Sequence, residues 1–186
     1  MSNFDAVGIE SGKRLQDAKR LLDHITLIER DVASQELVKV LKGSFFVLLY
    51  GALEKTVFYL VNQCIQILNT KHKKLLDLKP VLWAIVFNDE CNAIHDASDK
   101  KWTKRWELFS QVQDVDAKQM NERIATRLSN LADNRMKVAH GRESASTVGA
   151  GYTAADLNTF YTEVRDYIAY LISCFESYID NQEYKK

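Results

Sequence analysis

Residues that interrupt regular structure are rare in this chain. Its 186 residues include a single proline, Pro80, and seven glycines, so long stretches contain nothing that ends a helix. A fold of many short strands joined by turns needs far more of both residue types. With 46% hydrophobic and 27% charged residues, the chain can also form an ordinary globular core. We therefore expect an all-α fold.

Apolar residues recur at helical spacing in four long segments. We predict a first amphipathic helix over residues 13–34, a strongly hydrophobic helix over 35–69, and a helix or helix pair over 116–140. A long C-terminal helix should begin at Thr153, which forms a capping-box pattern with Asp156. Its apolar stripe consists of Leu157, Phe160, Val164, Ile168, Leu171, Phe175 and Tyr178.

The middle of the chain is less regular. Pro80 should begin a short apolar helix, and residues 88–99 have weak periodicity and should form a loop. Residues 100–113 indicate a helix with two tryptophans and a phenylalanine on one face and basic residues beside it. Such a face either packs into the core or binds a single RNA strand by stacking and phosphate contact. Core packing is the more common role.

These segments predict one helical domain over residues 13–186, with about five or six helices. Residues 1–12 contain two glycines and no clear period, so we expect a loose lead-in there. Residues 141–153 hold three of the seven glycines among Ser, Thr and Ala, which predicts a mobile surface loop.

Charge and cysteine content narrow the possible functions. The 25 basic and 25 acidic residues give zero formal net charge, so no global field attracts nucleic acid or a membrane surface. Cys64, Cys91 and Cys174 lie far apart without metal-ligand spacing, which is typical of free thiols in a reducing compartment. There is no signal-peptide pattern and no unbroken apolar run of roughly 18–20 residues. We expect a cytoplasmic protein with no metal, no cofactor and no membrane partner.

The most informative segment is LSNLADNRMKVAHG, residues 128–141, which has a charge inside an apolar helix face. Arg135 occupies the position between Leu131 and Val138 where the periodicity predicts a hydrophobic residue. Because an unpaired guanidinium is costly to remove from water, we expect an anionic partner, either a protein carboxylate or a bound phosphate. His140 follows at the helix end, directly before a glycine that should form the C-cap. A titratable imidazole beside a buried cation is typical of a functional site.

A carboxylate occupies a similar position on the second helix. Glu54 falls inside the apolar arc of residues 35–69, and the simplest hypothesis is an ion pair between Glu54 and Arg135. Two interpretations stay open. Either both side chains reach the edge of the core and only pair there, or the pair also holds Arg135 in place for a ligand.

Both charged segments resemble the HEPN superfamily of small all-α domains. LLYGALEKTV carries Glu54 on an apolar helix, and RMKVAHG contains Arg135, four intervening residues, His140 and a glycine. Over residues 13–180 the chain is most similar to the HEPN-like nucleases of bacterial defence and toxin systems, the RiboL-PSP-HEPN branch. The resemblance implies a HEPN-like helical bundle that cleaves RNA without metal, as a homodimer whose Arg and His motifs face each other across a cleft.

The resemblance also implies a role for each residue. His140 would act as general base or acid at the ribose 2′-hydroxyl or the leaving oxygen, and Arg135 would stabilise charge on the phosphate. Five positions on an ideal helix place these side chains about 140° apart, so they reach one phosphate only if the helix unwinds near Ala139 or a second chain contributes. Lys137 and Arg142 are candidates for RNA-backbone contact, although plain surface charge is the simpler interpretation.

One position departs from the family pattern. Many HEPN nucleases have a polar residue, often Asn, directly after the arginine, whereas this chain has Met136 there and Asn134 before the arginine. We predict that Asn134, and Glu54 on the second helix, support the site formed by Arg135 and His140.

We predict a metal-independent endoribonuclease, a toxin or defence effector whose partners are RNA, a second copy of the chain and an antitoxin or defence-system protein. The alternative is a non-catalytic interaction or regulatory module in which Arg135 and Glu54 only hold the fold. A weaker third hypothesis is a nucleotide-binding or partner-regulated subunit. Arg135 and His140 beside an open cleft would favour the nuclease, and a fully enclosed Arg135 paired with Glu54 would favour the module.

Overall fold

The computed structural model describes residues 3–70 and 118–182. The helices in these two stretches are α1 (Asp5–Ile28), a 3₁₀ turn (Val32–Ser34), α2 (Gln35–Thr70), α3 (Lys118–Ala139), α4 (Ala145–Ala150) and α5 (Ala154–Asp180). No strand occurs within them, which confirms the predicted all-α bundle and its long C-terminal helix. The short helix after Pro80, the loop over 88–99, the helix over 100–113 and Cys91 lie outside the described residues.

α1 begins earlier than the sequence suggested. Residues 5–12 are helical, so the loose lead-in expected there is wrong. Phe4 is fully buried, and its ring packs edge-on against Phe175 of α5 with centroids 6.2 Å apart. Ser11 is also buried and accepts a hydrogen bond of 2.8 Å from the hydroxyl of Thr56 on α2. This packing outweighs the helix cost of about 1 kcal/mol for each glycine in the segment.

α2 confirms the predicted hydrophobic helix and lies at the centre of the described fold. It packs against α1, α3, α4 and α5. Among the described residues, the segment Val32–Leu68 is long and apolar enough to cross a membrane. However, 56% of its apolar window is buried inside the protein, as in the core helix of a globular domain. Its composition is therefore weak evidence for a membrane span.

The chain between α3 and α5 is packed against α2, so the mobile loop expected over residues 141–153 is wrong. This segment contains α4, which begins after Ser144; the Ser144 hydroxyl accepts a hydrogen bond of 3.1 Å from the Thr147 N–H. Val148 and Gly149 of α4 are buried. The small residues that suggested a loop instead permit close packing.

α2 and α4 touch through their backbones at two glycines. A Cβ added at Gly43 would lie 2.0 Å from the carbonyl oxygen of Ala145. One added at Gly149 would lie 1.9 Å from the carbonyl oxygen of Lys39. No side chain fits in either place, so glycine is required at both positions.

α3 presents its predicted apolar face to the core. Leu128 and Leu131 are buried, and Val138 packs at the edge of the same cluster. On a neighbouring face, Arg127 donates through Nε to Glu163 of α5 at 2.6 Å. α3 is thus fixed to both α2 and α5.

α5 begins and packs as predicted. Asp156 accepts a hydrogen bond from the Thr153 N–H at 2.8 Å, and Thr153 accepts one from the Asp156 N–H at 3.1 Å. This reciprocal pair is the predicted capping box. Every residue of the predicted stripe is buried, against α1 and α2.

We predict that Gly43→Ala and Gly149→Ala each lower the free energy of unfolding by about 2–3 kcal/mol, because the new methyl group must push two helix backbones apart. Gly51→Ala on α2 is the matched control, since nothing lies within 4 Å of a Cβ added there. It should raise stability by up to about 1 kcal/mol. Denaturant unfolding followed by circular dichroism measures all three. Equal effects at Gly43 and Gly51 would contradict the backbone contact.

Candidate active site at the end of helix α3

α3 ends as predicted, with Gly141 in the left-handed conformation at φ 65°. The Gly141 N–H donates to the carbonyl of Val138 at 3.2 Å, and the Arg142 N–H donates to the carbonyl of Lys137 at 2.9 Å. These two bonds form a Schellman motif, which satisfies the last carbonyls of the helix. His140 is the residue directly before this turn, and it is exposed.

The helix does not unwind before His140. The His140 N–H donates to the carbonyl of Met136 at 3.2 Å, which is the bond expected within an α-helix. The side chains of Arg135 and His140 therefore leave α3 about 140° apart and about 7.5 Å apart along its axis. Local unwinding is thus not how this chain could bring the two side chains to one phosphate.

Arg135 is half-buried and lies against an aromatic ring. Its Cζ is 5.2 Å from the ring centroid of Tyr50 on α2, and its Nη1 donates to the Sδ of Met136 at 3.4 Å. A cation–π contact of this kind is worth about 0.5–2 kcal/mol, and a thioether sulfur is only a weak acceptor. Neither of these two neighbours carries a negative charge that would balance the charge of the guanidinium.

The ion pair predicted between Arg135 and Glu54 is not formed. Within residues 3–70 and 118–182, Arg135 contacts Tyr50 and Met136 instead of a carboxylate. Tyr50 lies one helical turn before Glu54 on α2, and its ring receives the guanidinium. Glu54 is half-buried, and the described contacts do not make it a support for Arg135.

Asn134 anchors the segment that contains both motif residues. It is 5% exposed and donates through Nδ2 to the hydroxyl of Tyr152 at 2.7 Å. The Tyr152 ring packs edge-on against Phe46 of α2, with centroids 4.8 Å apart. This hydrogen bond joins the two residues that flank segment 135–151, so it holds the start and the end of the segment together.

A partly buried ion pair holds the same segment to α2. The side chain of Lys42 is 10% exposed and donates to Glu29 Oε1 at 2.6 Å and to the carbonyl of Tyr152 at 2.9 Å. Glu29 Oε1 also accepts from the Ala154 N–H at 3.1 Å. The hydrogen bond from Lys42 is the main cause that lowers the pKa of Glu29, while partial burial opposes it.

The two candidates for RNA-backbone contact differ. Lys137 Nζ lies 3.3 Å from a carboxylate oxygen of Glu143 and 3.3 Å from one of Asp133. Hydrogen bonds to these two groups, Glu143 first, raise the pKa of Lys137. Because two carboxylates already pair with its ammonium group, Lys137 is less suited to bind phosphate than a cation without such partners. Arg142 is exposed and makes no side-chain hydrogen bond or ion pair within the described residues, so it is the better candidate.

Sequence comparison assigns the bundle to a known family. A family model described as RiboL-PSP-HEPN matches residues 13–177. The chain belongs to this family. The match includes all of α2, α3 and α4, together with Arg135 and His140. No curated protein and no solved structure matches the chain.

The end of α3 in this HEPN domain combines an acid–base group with a fixed cation. His140 can accept or donate a proton in solvent, and Arg135 can bind an anion with planar N–H donors. Within the described residues, no group of three His, Cys, Asp or Glu side chains is placed to hold a metal ion. Burial raises the pKa of the Cys64 thiol to about 12, so this cysteine is not a thiolate at neutral pH.

Several residues that shape the site of this HEPN domain were not identified from the sequence, namely Glu29, Lys42, Tyr50 and Tyr152. A signal existed for Lys42, which stands four residues after Val38 and four before Phe46, both buried. It is a charge in a core-facing position, like Arg135. Tyr152 gave no such signal, because its partners are distant in sequence from the turn that carries it.

We predict that Tyr152→Phe lowers the free energy of unfolding by about 1–3 kcal/mol, because it leaves the buried Asn134 amide without an acceptor. Tyr161→Phe on α5 is the matched control. Tyr161 is also half-buried, and its hydroxyl makes no hydrogen bond within the described residues. The control should change stability by less than about 0.5 kcal/mol. Urea unfolding compares the two, and equal values would show that the Asn134–Tyr152 bond contributes nothing.

We also predict that the Glu29–Lys42 pair makes stability depend on pH. Lys42 holds the folded-state pKa of Glu29 below its ordinary value of 4.5. The pair therefore stabilises the fold above pH 4.5, and this contribution is lost as the pH falls through the lowered pKa. Glu29→Gln should unfold more easily than wild type at neutral pH, and the difference should shrink in acid. A difference that is constant with pH would contradict this assignment.

Proposed function

We propose that this HEPN domain is an endoribonuclease that cleaves RNA without a metal ion, through Arg135 and His140. The observation that carries the proposal is that Arg135, though half-buried, has no carboxylate against it within the described residues. The Tyr50 ring offsets only part of the cost of taking a guanidinium out of water. A phosphate oxygen is the anion that would offset the rest.

The reaction needs one proton taken and one proton given. The ribose 2′-oxygen attacks phosphorus while its proton passes to a base, the bond from phosphorus to the 5′-oxygen breaks, and that oxygen receives a proton. His140 serves as base or acid in this exchange, and Arg135 stabilises the charge that develops on the phosphate oxygens. The product is a 2′,3′-cyclic phosphate, which water can open to a 3′-phosphate, and a 5′-hydroxyl.

The proposal includes a homodimer. The two side chains leave α3 about 140° apart, and the helix stays intact to His140, so the arginine of one copy and the histidine of another can complete a site. Arg142 is exposed beside His140 and is proposed to contact the RNA backbone.

The proposed role in the cell is that of a toxin or defence effector, controlled by an antitoxin or defence-system protein. This role rests on the family resemblance of the two motif segments. RNA in the cytoplasm is the proposed substrate.

A non-catalytic interaction module is the second candidate. It is favoured by Met136 in the position where many HEPN nucleases have a polar residue, and by the two carboxylates that pair with Lys137. In that function the contact between Arg135 and Tyr50 only fixes α3 to α2.

The first test is cleavage of total cellular RNA by the purified protein in excess EDTA. We predict that His140→Ala lowers the rate by about 100-fold or more, as expected for loss of a general acid–base. His24→Ala is the control, because His24 is an exposed histidine on α1. Equal activity in wild type and His140→Ala would place the chemistry elsewhere, and silence of both would favour the interaction module.

Mixing inactive variants tests the shared site. Arg135→Ala and His140→Ala proteins, unfolded together and refolded, should regain up to about a quarter of wild-type activity if one chain supplies the arginine and the other the histidine. Each protein refolded alone is the control. No recovery, despite mixed dimers seen by mass spectrometry, would mean that each site lies within one chain.

A further inference from the structure

Met136 supplies the hydrogen-bond acceptor of Arg135 through its sulfur atom. Arg135 Nη1 donates to Met136 Sδ at 3.4 Å, and the Tyr50 ring centroid lies 5.2 Å from Arg135 Cζ. Within residues 3–70 and 118–182, no oxygen atom accepts a hydrogen bond from this guanidinium. A thioether sulfur is a weak acceptor, and oxidation makes it polar. The oxidation state of this sulfur therefore bears directly on the candidate catalytic cation.

The side chain of Met136 is partly open to solvent. It is half-buried, and within the described residues it lies outside the hydrophobic core, which contains Leu128 and Leu131 of the same helix. Hydrogen peroxide is a small uncharged molecule, so it can reach a half-buried side chain while the protein stays folded. Oxidation is thus a modification that this position can undergo in the native state.

A peroxide converts a thioether to a sulfoxide in one two-electron step. A lone pair of the sulfur attacks one oxygen of hydrogen peroxide, the S–O bond forms and the O–O bond breaks. The other oxygen leaves as hydroxide and takes the proton from the transferred oxygen, so that water is released. The sulfur is oxidised and the peroxide is reduced. At Met136 the product carries an oxygen on the atom that already lies against Arg135 Nη1.

The sulfoxide oxygen is a far better acceptor for the guanidinium than the sulfur it replaces. It carries a partial negative charge, and hydrogen bonds from an ionised donor are roughly twice as strong as neutral ones. The methionine side chain has three rotatable bonds, so the oxygen of either sulfoxide epimer can turn toward Arg135. A phosphate that binds Arg135 must then compete with an acceptor inside the protein.

We infer that Met136 is an oxidation site that regulates Arg135. In the reduced protein the guanidinium is ready for an anion, whereas the sulfoxide gives it an internal acceptor and weakens its binding of phosphate. Sulfoxide reductases remove the oxygen again, so the change is reversible. The consequence for RNA cleavage rests on the proposed function, since it requires that Arg135 act on the phosphate of RNA.

Cysteine oxidation can be separated from this reaction by the reductant that reverses it. Thiolates react with peroxide most readily, but burial raises the pKa of the Cys64 thiol to about 12 and Cys174 is half-buried. Dithiothreitol reduces a cysteine sulfenic acid or disulfide, whereas methionine sulfoxide needs a reductase enzyme, which passes its oxygen to water at the expense of a dithiol. An effect that survives dithiothreitol alone therefore belongs to methionine.

The test compares full-length wild type, Met136→Leu and Met120→Leu after hydrogen peroxide and then dithiothreitol. Met120→Leu is the matched control, because Met120 lies on α3 about 22 Å from Arg135 along the axis. Peptide mass spectrometry locates the added oxygen, and thermal unfolding checks that every protein is folded. Inorganic phosphate is titrated while the arginine Nε–Hε signals are followed by NMR, with Arg135 assigned by its loss in Arg135→Lys.

Oxidation should shift the Arg135 signal and weaken phosphate binding by about fivefold or more in wild type and in Met120→Leu, as expected when a charged donor gains a good acceptor. Met136→Leu should bind phosphate equally well before and after peroxide. A methionine sulfoxide reductase added with dithiothreitol should restore the affinity of oxidised wild type. The rate of RNA cleavage in EDTA should fall and recover in parallel.

The outcomes separate this proposal from the nuclease. Resistance of Met136 to peroxide, or full oxidation of Met136 with no change at Arg135 or in phosphate affinity, overturns the switch. So does an equal loss of affinity in Met136→Leu, or the absence of phosphate binding at Arg135 in the reduced protein. RNA cleavage that continues unchanged after full oxidation of Met136 overturns the switch and leaves the nuclease. Phosphate binding that oxidation weakens, without any RNA cleavage in EDTA, supports the switch and refutes the nuclease alone.

Discussion

The backbone contact between α2 and α4 sets the geometry of everything around the candidate site. With a hydrogen atom in place of a side chain at Gly43 and at Gly149, the two helices approach until carbonyl oxygens lie where a Cβ would be. That approach places Tyr152, just after α4, against two residues of α2: its ring packs on Phe46, and its carbonyl accepts a hydrogen bond from Lys42. Tyr152 can then accept the hydrogen bond from Asn134. The segment that carries the exposed His140 is therefore anchored at both ends, at Asn134 and at Tyr152.

The energetics of Arg135 and Lys42 differ in a way that suits different roles. Both cations are at least half-buried on or beside α2, but Lys42 has a carboxylate and a carbonyl as hydrogen-bond acceptors. This pair is costly to break from the Glu29 side, because removing that carboxylate leaves the buried Lys42 ammonium without its counter-charge. Arg135 has a ring and a sulfur instead, which offset little of its desolvation. Lys42 thus serves the fold, whereas Arg135 retains a favourable interaction for an anion.

Periodicity predicted the long helices well because it reports which face is buried. The stripe of α5, its capping box and the Gly141 turn follow from spacing and from local hydrogen bonds, and all are present. The hydrophobic pattern failed to predict structure where contacts between distant residues determine it. The glycines of α4 indicated a loop, since the sequence cannot show that Gly43 of another helix would lie opposite.

The candidate site could also be predicted from local spacing, but its contacts with distant residues could not. Arg135 stood out as a charge inside an apolar face, yet its partner was misjudged. Glu54 and Tyr50 both lie on the side of α2 that faces α3, and opposite charge favoured the former in the sequence. In the structure the guanidinium lies against the Tyr50 ring, a contact that arginine makes as readily as an ion pair and that charge pattern alone does not predict.

The contacts described for the site join residues that lie on both sides of segment 71–117 in the sequence. α2 holds α3 through Tyr50, and holds the return from α4 through Gly43, Phe46 and Lys42. The described halves are thus joined by packing as well as by the chain. The candidate site is therefore built from residues that are far apart along the chain, and it exists only once α2 and α3 have packed together.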